Sequence, residues 1–76
     1  MVTAYVMVKA NTGAADRLRQ EISEIEGVVD THIVAGDVDL IAKVEVDSPG
    51  KVKDVSATSI QAIDGVEDTR TYIAMD

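Results

Sequence analysis

The chain has 76 residues, 46% hydrophobic and 28% charged, with seven Lys and Arg against fourteen Asp and Glu, a net charge of −7, and no Cys, Trp or Phe. That length allows one domain, residues 1–76, which buries only about 60% of the surface its unfolded chain exposes. Without Cys, and with His32 as the lone imidazole, disulfide and metal staples are excluded, so association with further copies is the expected way to complete the core. No stretch approaches the ~20 apolar residues of a membrane span. The opening Met1-Val2-Thr3-Ala4-Tyr5-Val6 lacks the basic segment of a signal peptide, and a cysteine-free chain of this kind is expected in the cytoplasm. The acid surplus repels phosphate backbones, so no direct nucleic-acid contact is expected. An Asp-rich, Lys-poor surface is also the kind found in a high-salt cytoplasm, as in a halophile, where salt screens self-repulsion.

In chain order, residues 2–9 alternate Val2, Ala4, Val6 and Val8 with Thr3, Tyr5, Met7 and Lys9, which predicts a strand. Asn11-Thr12-Gly13 is a turn in which Asn11 or Thr12 can cap a helix. Ala15, Leu18, Ile22 and Ile25 then form one helical stripe over 14–26, stopped at Gly27. Residues 28–35 and 39–46 read as two strands of an antiparallel hairpin with a tight turn at Gly36-Asp37. Asp47 or Ser48 can cap a second helix, with Pro49 at its first position and the stripe Val52, Val55, Ile60 and Ile63 running to Gly65. Its Val, Ser and Thr residues are weak helix formers, so packing must impose it. Residues 66–75 predict a last strand.

An internal repeat supports this order. Ile25-Glu26-Gly27-Val28-Val29-Asp30-Thr31 aligns with Ile63-Asp64-Gly65-Val66-Glu67-Asp68-Thr69, a shift of 38 positions and half the chain. Two matching β-α-β halves predict an α+β, ferredoxin-like β-α-β-β-α-β fold, an antiparallel sheet with both helices on one face. The other face, carrying Tyr5, Met7, Ile41, Arg70 and Tyr72, is then bare and expected to pair with its copy in a dimer.

Catalytic chemistry has little to work with. His32 has no Cys or Ser nucleophile beside it, the acids show no diagnostic pairing, and Asp37-Val38-Asp39 is ordinary turn sequence rather than a metal loop. The glycines fit no phosphate-binding pattern. The hairpin segment Ala35-Gly36-Asp37-Val38-Asp39-Leu40 is more informative. Gly36 can offer a backbone N–H with no Cβ in the way, and Asp39 an acceptor for an ammonium group. Thr69 and Thr71 alternate on the last strand and can add hydroxyls to the same site. Taken alone, Gly-x-x-Asp in a hairpin is more often turn chemistry, and Thr in a strand simply a good strand former.

Together, Val2-Thr3-Ala4-Tyr5-Val6, Ile25-Glu26-Gly27-Val28, Gly36-Asp37-Val38-Asp39-Leu40-Ile41, Ile63-Asp64-Gly65-Val66 and Asp68-Thr69-Arg70-Thr71 resemble, in order and spacing, the effector-binding (RAM) domain of the leucine-responsive/asparagine-regulator (Lrp/AsnC) family. The resemblance implies a dimeric α+β barrel type of domain whose dimers assemble into rings, commonly octamers. It also implies an amino-acid effector bound between dimers, with no cofactor. By motif position it carries over Gly36, Asp39, Thr69 and Thr71 as ligand-binding residues, and Asp54 at the start of the second helix. Full-length members of that family have an N-terminal helix-turn-helix domain, whereas here the first strand begins at Val2. The expectation is therefore a stand-alone effector domain, with no DNA-binding domain and no enzymatic activity, acting in transcription regulation alone or with full-length regulators. A ring-forming interaction protein without a small ligand, and a small dimeric α+β barrel enzyme, are the alternatives.

Overall fold

The computed structural model describes residues 1–76. Its elements are β1 (Val2–Ala10), α1 (Ala15–Ser23), β2 (Val28–Ile33), β3 (Leu40–Val46), α2 (Pro49–Lys53) running directly into a π-helical segment (Asp54–Ile60), and β4 (Val66–Ile73). The four strands form one antiparallel sheet in the order β2-β3-β1-β4, the ferredoxin-like arrangement expected from the repeat. No helix is long and apolar enough to cross a membrane.

The central strands decide where the core lies. Ala4, Val6 and Val8 of β1 stand opposite Val44, Ala42 and Leu40 of β3, and all six are fully buried. Leu18 and Ile22 of α1 and Val52, Val55 and Ile60 of the second helix close over them, completing with Val46 a twelve-residue core. Each fully buried Val or Leu adds about 1.5–3 kcal/mol relative to exposure. Only 14 of 76 residues are buried, however, so the core is thin for the chain it must order. Because side chains alternate across a strand, the same ladder turns Thr3, Tyr5, Met7 and Lys9 to the other face, where no helix lies. Tyr5 is 38% exposed and Tyr72, directly opposite on β4, 54%. The bare face expected from the alternation is present.

Several local expectations are corrected. α1 ends at Ser23 rather than running to Glu26. The Ser23 hydroxyl bonds back to the Arg19 carbonyl at 2.7 Å, and the chain then tightens into i→i+3 bonds at Glu24 and Ile25. Neither Asn11 nor Thr12 caps it. The N-cap is Ala14 without a side-chain bond, and the Ala14 amide instead donates to the Asn11 carbonyl at 3.0 Å. Ser48 does occupy the second N-cap with Pro49 following, again without a side-chain bond. The hairpin turn is not tight. β2 stops at Ile33 and β3 starts at Leu40, leaving a loop over 34–39 closed by the Val34 amide donating to the Asp39 carbonyl at 2.9 Å. β4 stops at Ile73.

The largest departure is the π-helical segment. The apolar stripe spaces Val55 and Ile60 five apart, and in an α-helix that places Ile60 about 140° around from Val55. Widening the turn to i→i+5 bonding brings Ile60 back over the sheet, as in the Gln61 amide donating to the Ser56 carbonyl at 3.2 Å. Buried Ser56 satisfies its own hydroxyl on the Val52 carbonyl at 2.9 Å.

The repeat extends to backbone detail. Ile25 and Val28 donate to the carbonyls of Ile22 and Ile25, and 38 positions on Ile63 and Val66 donate to those of Ile60 and Ile63. Gly27 and Gly65 both adopt left-handed φ values, 97° and 101°. The register then skips one residue in each edge strand, Val29 in β2 and Glu67 in β4, so the two β-bulges also occupy equivalent positions.

Glycine at 27 is required, since a Cβ there would combine unfavourable φ with a 2.9 Å approach to Val46 Cγ1. At Gly36 φ is not left-handed and a Cβ meets nothing within 4 Å. In urea unfolding, Gly27→Ala is expected to lose about 1–3 kcal/mol. Gly36→Ala should stay within about 0.5 kcal/mol of the parent chain.

Candidate functional site

Two open cavities lie at opposite ends of β3. The larger, about 550 Å³, sits where the 34–39 loop overhangs the bare sheet face. Its walls are Gly36, Asp37 and Val38 from the loop, Met7 and Lys9 from β1, and Asp68 and Arg70 from β4. The strand residues reach it because Lys9 stands opposite Asp68 and Met7 opposite Arg70, all on the uncovered face. The smaller, about 400 Å³, lies between the Gly27 turn, the end of β3 and the second helix, and is bordered by Glu26, Glu45, Asp47, Lys51 and Asp54. An ion pair there joins Lys51 to Asp47 at 3.7 Å. No cluster of three or more His, Asp or Glu side chains is arranged to hold a metal ion.

The five residues expected to bind ligand are not gathered at one place. Gly36 and Thr69 both border the larger cavity, and Asp54 borders the smaller one. Thr69 lies opposite Val8 and Thr71 opposite Val6, so both side chains fall on the helix side of β4. The Thr69 hydroxyl accepts a 2.6 Å bond from Gln61 Nε2, while Thr71 is exposed.

Asp39 is already engaged within the chain. Its amide donates to the Val8 carbonyl at 2.9 Å, the last link before β3 diverges from β1. Its carboxylate Oδ2 then accepts from the Ala10 amide at 2.8 Å, replacing the carbonyl that the departing chain no longer supplies. Asp39 thus fixes the angle at which the 34–39 loop leaves the sheet, and with it the roof of the larger cavity.

Lys9, Asp37, Asp68 and Arg70 went unrecognised as a set from sequence. The signal was the alternation of Lys9 with Met7 and of Asp68 with Arg70, which becomes a shared wall only once the β1–β4 register is known.

The match to known proteins covers this whole arrangement. A family model described as the Lrp/AsnC ligand binding domain matches residues 3–76. The chain belongs to that family. It is 29% identical over 75 residues to the leucine-responsive regulatory protein of Escherichia coli K12, covering 95% of this chain and 46% of that protein. It thus spans about half the length of the curated relatives it matches. Among solved structures, TTHA0845 from Thermus thermophilus superposes with a TM-score of 0.95 at 30% identity, covering 100% of this chain and 95% of that one. The Neisseria meningitidis transcriptional regulator NMB0573, solved as an L-Met complex, shares the fold with a TM-score of 0.84 at 12% identity over 99% of this chain and 50% of its own. The family is one of transcriptional regulators rather than enzymes.

The role of Asp39 can be tested without any ligand. Asp39→Ala is expected to cost about 1.5–3 kcal/mol in chemical unfolding, because the Ala10 amide loses a charged acceptor. Asp39→Asn keeps an acceptor oxygen at the same place and should retain most of that stability.

Proposed function

We propose that this chain is a non-enzymatic, amino-acid-responsive regulatory module, whose effector binds in the larger cavity and acts through the assembly of protomers. The observation that carries the reading is the placement of that cavity at the edge of the bare sheet face. An effector there adjoins the surface that a second copy would cover, so occupancy and assembly are adjacent events. Its volume lies within the roughly 300–1,000 Å³ range of small-molecule sites. The ligand-binding family and the L-Met complex of a protein with the same fold support an amino acid as the effector class.

Gly36 fits this role. Nothing inside the protomer requires glycine there, and a bare backbone lets a ligand approach its N–H. Thr69 borders the same cavity, but its side chain turns to the helix side of β4, where its hydroxyl is held by Gln61. Asp39 acts indirectly, by holding the loop. Asp54 and Thr71 would contribute only where a neighbouring protomer brings their surfaces to a shared cleft, as in a ring of dimers such as an octamer. Tyr5, Met7, Ile41 and Tyr72 form the pairing face of the dimer, and full-length regulators of the same family are partners for mixed assemblies in the cytoplasm. The ligand must bind one assembly better than another, since equal affinity would shift nothing.

Light scattering and thermal unfolding test both parts. The wild-type chain is expected at twice its 8.1 kDa mass or more. Tyr72→Glu, which puts a carboxylate on the pairing face, is expected to reduce the assembly while leaving the far-UV circular dichroism unchanged. A bound amino acid should raise the unfolding midpoint, by about 2.7 kcal/mol of linkage at a hundred times its dissociation constant. A wild-type chain of single-protomer mass overturns the assembly, and a midpoint indifferent to every proteinogenic amino acid leaves only a ligand-free scaffold.

A further inference from the structure

The ion pairs of the molecule are Arg17–Glu21, His32–Asp30, Lys43–Glu45 and Lys51–Asp47. None involves Lys9, Asp37, Asp68 or Arg70, although these four border one cavity. Two cations and two carboxylates therefore share the space with no close ion pair formed among them, although Lys9 and Asp68 stand opposite each other across the β1–β4 pair. The Asp68 Oδ1 accepts from the neighbouring Thr69 amide at 2.9 Å, which fixes that carboxylate to its own strand. Apolar lining comes from Met7 and Val38 alone.

From this balance we infer that Lys9, Asp37, Asp68 and Arg70 are the recognition set of the larger cavity and select an amino acid whose side chain both donates and accepts hydrogen bonds, over an aliphatic one. The inference rests on the amino-acid sensor reading and narrows it to a ligand class. An α-carboxylate takes one of the two cations, and an α-ammonium one of the two carboxylates. One cation and one carboxylate then remain facing the side chain. A carboxamide or hydroxyl answers both, since its oxygen accepts from the cation and its N–H or O–H donates to the carboxylate. A branched aliphatic chain would strip water from both charges and return contacts to Met7 and Val38 only. The penalty comes from leaving polar groups unpaired, the kind of discrimination that can be large at nearly constant ligand shape.

Two isosteric pairs isolate that difference: asparagine against leucine, and threonine against valine. In calorimetry with the wild-type chain, the polar member of each pair is expected to bind at least tenfold tighter. Lys9→Met, Arg70→Met and Asp68→Asn should each weaken the polar member at least tenfold and narrow the gap within each pair. Lys53→Met, at an exposed lysine outside the cavity, should leave binding unchanged; circular dichroism checks that every variant is folded. Equal or tighter binding of leucine and valine overturns the inference while the sensor reading stands. So does polar-ligand binding that none of the three cavity variants weakens. An absence of heat with all four ligands, and with the remaining proteinogenic amino acids, overturns the sensor reading and the inference with it.

Discussion

The constraint behind the whole architecture is the two-residue period of β1 and β3. Ala4, Val6, Val8, Leu40, Ala42 and Val44 have no exposure at all, whereas Tyr5, Met7, Ile41 and Lys43, one position away, line a face that no helix covers. A slip of one residue between these strands would turn the core outward and bury Lys43. Both helices must therefore lie on one side of the sheet. The opposite side is left with Tyr, Met and Ile uncovered, on a chain whose own core is small. The loop after β2 opens onto that same side, and the larger cavity is the space it creates.

This arrangement gives the chain two kinds of open surface. The sheet face is broad and mixed in character, with the Tyr5–Tyr72 pair beside Met7 and Arg70. The cavity is narrower and carries charge of both signs. Under the proposed function, a small ligand in the cavity would adjoin the surface where copies meet, while the strands that bear both are held from behind by α1 and the second helix. The electrostatic character of the chain fits this division. Its acid surplus lies mainly elsewhere, including around the Gly27 turn, while the larger cavity draws equally on cations and carboxylates.

Most of the fold was legible in the sequence because it depends on periodicity. The alternation of β1 and β3 names the buried face, and the 38-residue repeat orders the elements. The π-helical segment was legible only in part: the five-residue gap between Val55 and Ile60 was present, but its resolution by a widened turn requires knowing that both residues meet the same sheet. The open loop at 34–39 was read as a tight turn because Gly36-Asp37 has the right composition, whereas Asp39 uses its side chain to extend the connection. The candidate site was harder still. Thr69 and Thr71 do share a face, as their spacing requires, but register puts that face on the helix side of β4. Lys9, Asp68 and Arg70 come from strands nearly sixty positions apart, and only their pairing in the sheet makes one wall of them.

The correspondence between the two halves leads further. β2 belongs to the first half but pairs with β3 of the second, and β4 belongs to the second but pairs with β1 of the first. Each half thus lends its outer strand to the other, in the manner of a domain-swapped pair joined by a single covalent link at the 34–39 loop. Left-handed glycine, bulged residue and helix-ending bonds recur in both, so each donated strand brings its own fitting. A polypeptide of half this length, meeting a duplicate of itself, would find the same interlocking partner that this one carries in its own second half.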